Sequence, residues 1–81
     1  MLDHASLARV IAPEANFRRA RMKRTSLLNA NLMKCQFEGA DLERADLRHS
    51  NLYEADFRHA QLDGADWELA ITTHAGLDAE E

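Results

Sequence analysis

The 81-residue sequence is poor in the residues that cross-link or punctuate small proteins, with one cysteine, one proline and three glycines. The single cysteine, Cys35, excludes an internal disulfide and is typical of a reducing compartment. No apolar run reaches the length of a membrane-spanning helix, and the N-terminus lacks the basic and apolar regions of a secretory signal. These absences predict a cytoplasmic protein.

What the sequence has instead is a repeat of five residues. From Ala15 to Leu69 the chain divides without insertion into consecutive units, which read ANFRR, ARMKR, TSLLN, ANLMK, CQFEG, ADLER, ADLRH, SNLYE, ADFRH, AQLDG and ADWEL. The first position of each unit is small, the third is large and apolar, and the second is mostly Asn or Asp. The last two positions are mostly charged or polar. A run of so many consecutive units in the same frame does not arise by chance.

The period of five excludes a regular helix or strand for these units. A helix turns about 140° over five residues, and a strand would send successive large residues to opposite faces. The first and third positions both point inward only if the chain turns a corner once per unit, so that four corners close one coil. Phe17, Phe37 and Phe57 recur at every fourth unit, and we therefore expect them to form one stacked ladder.

Three units carry the motif A-(D/N)-L-x-x intact: ANLMK (30–34), ADLER (40–44) and ADLRH (45–49). In this motif the sequence resembles the pentapeptide-repeat family. The resemblance implies an all-β fold, a right-handed quadrilateral parallel β-helix, which in this chain would comprise about four coils. It covers residues 15–69, which we expect to form the solenoid.

The flanking segments depart from the motif. Ala12 and Thr72 stand where a large residue is expected. We expect residues 1–14 to be an N-terminal cap or an irregular first coil. The cap would be a short helix that begins at Asp3 and ends before Pro13. Residues 70–81 are expected to be an irregular last coil with an acidic tail.

The sequence offers no grouping that predicts catalysis, a cofactor or a metal. The four histidines fall at the outward fifth position of the repeat frame, and His49 and His59 lie on opposite sides of the rod. Cys35 occupies an inward position, where a buried structural thiol is expected. We therefore expect a protein that is not an enzyme and that binds no cofactor or metal ion.

Three features remain for binding. An apolar contact patch is predicted where large apolar residues occupy outward positions near neighbouring corners: Leu28, Met33, Tyr53 and Leu69. A basic patch is predicted on the first coil, comprising Arg18, Arg19, Arg21, Lys23 and Arg24. Trp67 is the largest core residue of the last regular coil, and we expect its indole to cover the open end of the solenoid or to meet a second subunit.

The net charge of −4 hides a strong asymmetry along the chain. Residues 1–40 carry seven basic and three acidic groups, whereas residues 41–81 carry three basic and eleven acidic ones. Opposite charges at the two ends favour self-association by head-to-tail stacking.

The leading prediction is a non-catalytic interaction or scaffold module with a protein partner. The family resemblance implies a competing function, since some members imitate duplex DNA and bind DNA gyrase. A third reading is that the basic patch binds nucleic acid or an anionic surface.

Overall fold

The computed structural model describes residues 2–76, which wind into a coil with a corner every five residues. Parallel bridges join each second-position residue from Ser6 to Asp56 to the residue 20 positions further on. These residues contain no helix, and no strand extends beyond a single bridged residue. We divide the coil by its 20-residue period into coil 1 (2–21), coil 2 (22–41), coil 3 (42–61) and coil 4 (62–76).

Each corner is a β-turn closed by a backbone hydrogen bond. The first-position N–H of one unit donates to the third-position carbonyl of the unit before, as from Ala40 to Phe37 at 2.9 Å. The fifth-position residue adopts a left-handed backbone, with φ between 58° and 66° at thirteen non-glycine residues and φ of 71° and 74° at Gly39 and Gly64. A positive φ at this place in the turn is the arrangement of a type II β-turn. The five-residue period is therefore a period of turns.

Most of the remaining backbone N–H groups in the middle of the rod bond between coils or to a local side chain. Phe17 donates upward to the Gln36 carbonyl at 2.7 Å, and Gln36 donates downward to the Ala15 carbonyl at 2.9 Å. The fifth-position N–H also donates upward. Where the second position is Asn or Asp, the fourth-position N–H donates to its side chain, as from Arg18 to Asn16 Oδ1 at 3.0 Å. This last bond explains why the second position favours Asn and Asp, because their short side chains reach the backbone two residues ahead.

The third-position side chains fill the axis of the coil. Phe37 stacks on Phe17 below it at 5.1 Å between ring centroids and on Phe57 above it at 4.8 Å. The expected phenylalanine ladder is therefore present. Thr25 and Ser50, the polar residues at buried first positions, each donate a hydrogen bond to a backbone carbonyl at 2.6 Å. The narrow axis thus holds small hydroxyl groups without leaving them unbonded.

The sequence allowed either a short N-terminal helix or an irregular first coil, and the helix is not formed. Residues 2–14 instead continue the bridges and turns of coil 1, and Leu2 N donates to the Arg21 carbonyl at 2.7 Å. Asp3 accepts a hydrogen bond from the Lys23 backbone at 3.0 Å rather than capping a helix. Pro13 occupies the second residue of a β-turn, a place that suits its fixed φ. Stacking on coil 2 bonds the third- and fifth-position N–H groups of this segment, so a helix has no advantage.

Candidate interaction surfaces

The structure brings the four residues of the apolar patch to two adjacent corners of the rod. Leu28 and Leu69 lie at one corner, in coils 2 and 4, and Met33 and Tyr53 lie at the next corner, in coils 2 and 3. Leu69 is 71% exposed, whereas the other three side chains are half-buried. The two corners bound one side of the rod, which we call the uncharged face.

The sequence analysis did not predict the outward column of residues in the middle of this face. It consists of Ile11, Asn31, Asn51 and Ile71, joined rung by rung through parallel bridges. Ile11 is 77% exposed and Ile71 is 50% exposed. The signal was available, because VIAPE and AITTH both carry Ile where the motif requires Asn or Asp. Among the second-position columns of residues 2–76, this column alone has no charged member.

Local hydrogen bonds fix the middle of the uncharged face. Asn31 Oδ1 accepts from the Met33 backbone at 3.3 Å, and Asn51 Oδ1 accepts from the Tyr53 backbone at 3.1 Å. The Tyr53 ring packs edge-on against His74, with the ring centroids 6.0 Å apart. The face therefore presents apolar side chains on a backbone whose polar groups are largely satisfied within the protein.

The structure partly neutralises the predicted basic patch. Lys23 Nζ lies 3.5 Å from Glu43 Oε1 in coil 3 and 3.9 Å from Asp41 Oδ2 at the end of coil 2. Arg18 donates to Asn16 Oδ1 at 3.3 Å. The adjoining cleft of about 500 Å³ is lined by residues of both signs: Lys23, Arg24, Glu43, Arg44, Asp63 and Gly64. Such mixed charge weakens the attraction of this surface for a polyanion.

Two carboxylates of the acidic half are held by arginines within their own units. Arg48 Nη2 lies 2.8 Å from Asp46 Oδ2, and Arg58 Nη2 lies 2.9 Å from Asp56 Oδ2. The hydrogen bond from Arg48 lowers the pKa of Asp46, and that from Arg58 lowers the pKa of Asp56. These pairs reduce the negative field of coil 3, because each carboxylate faces a guanidinium at contact distance.

Trp67 lies against the upper end of the phenylalanine ladder. Its ring meets Phe57 edge-on at 5.4 Å between centroids, and the side chain is half-buried. Leu77, which continues the Phe57 column in the sequence, lies outside the described residues. Trp67 therefore leaves part of its apolar surface open at coil 4, and its role as a cap or a subunit contact stays a prediction.

Neither the thiol nor the histidines assemble a chemical site. Cys35 is buried and donates through Sγ to the Ala12 carbonyl at 2.9 Å, and burial raises the pKa of this thiol. Within residues 2–76 no group of His, Cys, Asp and Glu side chains has the arrangement of a metal site. No helix in this part of the chain is long and apolar enough to span a membrane.

The comparisons with known proteins agree with this architecture. A family model described as pentapeptide repeats matches residues 2–39 and 30–66. Among solved structures, HetL, a pentapeptide repeat protein involved in heterocyst differentiation regulation in the cyanobacterium Nostoc sp. strain PCC 7120, superposes with a TM-score of 0.89. The two proteins are 29% identical, and the match covers 91% of this chain and 35% of HetL.

Two further structures show the same fold over longer chains. A pentapeptide repeat protein of the cyanobacterium Cyanothece 51142 is 26% identical, with a TM-score of 0.64, over 86% of this chain and 52% of its own. One from the Arabidopsis thaliana thylakoid lumen is 25% identical, with a TM-score of 0.60, over 91% of this chain and 55% of its own. No curated protein matches the sequence. The repeat, the coil and these matches show that the chain belongs to the pentapeptide repeat family.

Proposed function

We propose that this chain is a non-catalytic interaction module and that it binds a protein partner through the uncharged face. One observation carries the proposal. The column from Ile11 to Ile71 has no charge, and it lies between corners that carry Leu28 on one side and Met33 and Tyr53 on the other. The outward columns on the other sides of the rod carry charged residues.

The physical case rests on what desolvating this face would cost. Asn31 and Asn51 already accept hydrogen bonds from the backbone through Oδ1, so a partner that covers them has to supply acceptors mainly for their amide N–H groups. Tyr53 and Met33 offer large apolar contact area, and tyrosine is among the residues that dominate binding energy at protein interfaces. The partner best suited to the face is therefore a protein that presents an apolar patch of its own.

The charge distribution disfavours the two competing functions. A duplex-DNA mimic needs a continuous acidic surface, but coil 1 carries Arg9, Arg18, Arg19 and Arg21 against two carboxylates. Nucleic-acid binding needs unopposed cations, but Lys23 is paired with carboxylates of coils 2 and 3. In the uncharged face the column from Ile11 to Ile71 has no charged member, and the charged residues beside it lie at the two corners, among them Lys34, Arg48, Glu54 and Glu68.

A double substitution tests the proposal. A partner captured by the wild-type chain is purified, and its affinity is measured against the wild type and against Met33→Ser/Tyr53→Ser. Loss of two large contacts should weaken binding at least tenfold, since about 1.4 kcal/mol corresponds to a factor of ten.

The matched control is Arg24→Ser/Arg44→Ser, which alters the opposite corner of the rod. For these arginines no ion pair is found within residues 2–76, and the change removes only the packing of the Arg44 stem beside Gly64, so it should leave the affinity unaltered. Circular dichroism establishes that both variants are folded. Equal affinities of the wild type and Met33→Ser/Tyr53→Ser would overturn the proposal.

A further inference from the structure

Two arginines in the middle of the rod have no carboxylate partner. Arg48 and Arg58 lie at fourth positions, and each holds the Asp two residues before it, at 2.8 Å and 2.9 Å. Arg24 and Arg44 lie at fifth positions instead, one residue further from the second position. Neither of these two side chains forms an ion pair or a hydrogen bond within residues 2–76. Their guanidinium N–H donors are therefore available to a ligand.

Arg24 and Arg44 belong to one column of the rod. They are 20 residues apart, which is the spacing of the parallel bridges, so their backbones lie on neighbouring rungs about 4.8 Å apart. Both side chains are exposed. Like charges on neighbouring rungs repel one another, and an anion bound to both arginines would relieve that repulsion.

The groove of about 500 Å³ at this corner gives such an anion room. Both arginines line it, together with Lys23, Glu43, Asp63 and Gly64. Gly64 carries no side chain that would cover Arg44 from above, and a Cβ there would lie 3.0 Å from Arg44 Cγ. The glycine therefore leaves the arginine side of the groove open to a small group.

The charges of the groove leave a positive surplus on the arginine column. Lys23 Nζ lies 3.5 Å from Glu43 Oε1, so these two groups largely oppose one another. Asp63, the other carboxylate of the groove, forms no ion pair in the described chain. The two arginines therefore stand against one carboxylate, and the three cations and two carboxylates of the whole groove sum to +1.

We propose that this groove binds a phosphate group, as inorganic phosphate or as a phosphate monoester, through the guanidinium groups of Arg24 and Arg44. Arginine presents its donors in a planar fork that matches two oxygens of a phosphate. A carboxylate has only two oxygens, and one guanidinium holds both, as Arg58 holds Asp56. A phosphate monoester has three terminal oxygens, so one dianion can accept hydrogen bonds from both arginines at once.

The arginine column is too short for the backbone of a nucleic acid. Within the described coils His4 precedes Arg24 in this column and Gly64 follows Arg44, so only two neighbouring rungs carry a permanent cation. A polynucleotide needs a series of unopposed cations along its length, and the carboxylates of the groove would repel its further phosphates. The groove therefore suits a single compact dianion.

This groove is separate from the uncharged face. Its corner lies diagonally across the rod from the corner that carries Met33 and Tyr53, and no residue belongs to both surfaces. Phosphate binding therefore goes beyond the proposed partner contact. Each can be measured without the other, so failure of one proposal does not decide the other.

An amide NMR titration of the isotope-labelled chain tests the proposal. Inorganic phosphate and phosphoserine are added separately at about pH 7.5, where both are mostly dianions, and sodium chloride of equal ionic strength is the reference. Both should shift the amide signals of residues 23–24, 43–44 and 63–64 in a saturable manner. Saturable binding of either supports the site, and the tighter of the two identifies the source of the phosphate. A response to neither, or an equal response to chloride, would rule the site out.

Substitutions in the groove identify the binding groups. Arg24→Gln/Arg44→Gln removes both guanidinium groups but keeps an aliphatic stem beside Gly64, and it should weaken phosphate binding about tenfold or more. Asp63→Asn removes the opposing carboxylate and should make binding tighter. Unchanged affinity in Arg24→Gln/Arg44→Gln would contradict the proposal.

The matched control removes the same amount of positive charge elsewhere on the rod. Arg48→Gln/Arg58→Gln replaces arginines that already hold Asp46 and Asp56, so it should leave phosphate binding nearly unchanged. Equal losses in the two double variants would show that net charge alone attracts phosphate, which would remove the site. Circular dichroism establishes that all the variants are folded.

Discussion

The fifth position of the repeat shows how backbone strain and side-chain room combine at a single residue. Thirteen residues other than glycine hold a positive φ there, although each L-residue in this conformation costs about 1–2 kcal/mol relative to a right-handed backbone. Coil-to-coil hydrogen bonds on both sides of the corner compensate for that cost. Left-handed φ alone therefore does not explain why Gly39 and Gly64 are glycines.

The two glycines make room for arginine stems from the coil below. A Cβ at Gly64 would lie 3.0 Å from Arg44 Cγ, and one at Gly39 would lie 3.4 Å from Arg19 Cγ. Each arginine thus packs its aliphatic stem where the next coil has no side chain. This pairing of Arg with Gly one coil above could not be read from the repeat motif, because the motif leaves the fifth position free.

We predict that Gly64→Ala lowers the free energy of unfolding by about 1–2 kcal/mol, from the positive φ and the contact with Arg44. Urea denaturation measures the loss. Gly39→Ala has a similar φ and a wider gap, so it serves as the control and should lose less. Arg44→Ala/Gly64→Ala should recover part of the loss. Equal destabilisation by the two glycine substitutions would contradict the proposed crowding.

At the scale of the element, the unit of stability is the column of side chains rather than the strand. Residues 2–76 contain only isolated bridges, so the ladder Phe17–Phe37–Phe57 and the leucine columns beside it supply the contacts between coils. Central members are fully buried, whereas the members in coil 1 are half-buried. The same residue type should therefore contribute different amounts to the free energy of unfolding at different places in one column.

We predict that Phe37→Ala lowers the free energy of unfolding by about 3–5 kcal/mol, because it removes a buried ring with a stacked ring on each side. Phe17→Ala should cost clearly less, since Phe17 is half-buried and stacks on one ring. Chemical denaturation of the two variants under the same conditions compares them. A loss at Phe17 equal to that at Phe37 would show that the coils do not differ in packing.

At the scale of the whole molecule, the chain behaves as a one-dimensional stack in which each coil contacts its neighbours. Net charge falls along that stack from +2 in coil 1 to −3 in coil 4. Contacts between residues far apart in sequence are mostly contacts at a separation of about one coil. The effect of an insertion on stability should therefore depend on whether it keeps the side-chain columns of the later coils aligned.

We predict that duplicating residues 25–44 after Arg44 raises the melting temperature by roughly several degrees, because one more coil-to-coil interface forms in register. The control duplicates residues 40–44 alone. It preserves the five-residue frame but rotates all later columns by one corner, so Phe57 leaves the Phe37 column. That variant should melt below the wild type. A control at least as stable as the wild type would show that column identity does not matter.

The sequence alone determined the coil. A small first position and a large third position in phase over so many units can be buried only by a chain that turns at every unit, and the spacing of Phe17, Phe37 and Phe57 set four corners per coil. The apolar patch at Leu28, Met33 and Tyr53 followed from the same frame, because outward positions are those the core does not use.

Tertiary structure decided the features that depend on a neighbouring coil. It extended the coil through residues 2–14, since backbone pairing with coil 2 prevails over weak local helix signals. It showed that Lys23 lies near the carboxylates of Asp41 and Glu43, that Gly64 accommodates Arg44, and that Ile11 and Ile71 stand exposed in one column. Most of these features depend on residues about one 20-residue period away in the chain, so the physical environment of each residue is fixed only when the coils are stacked.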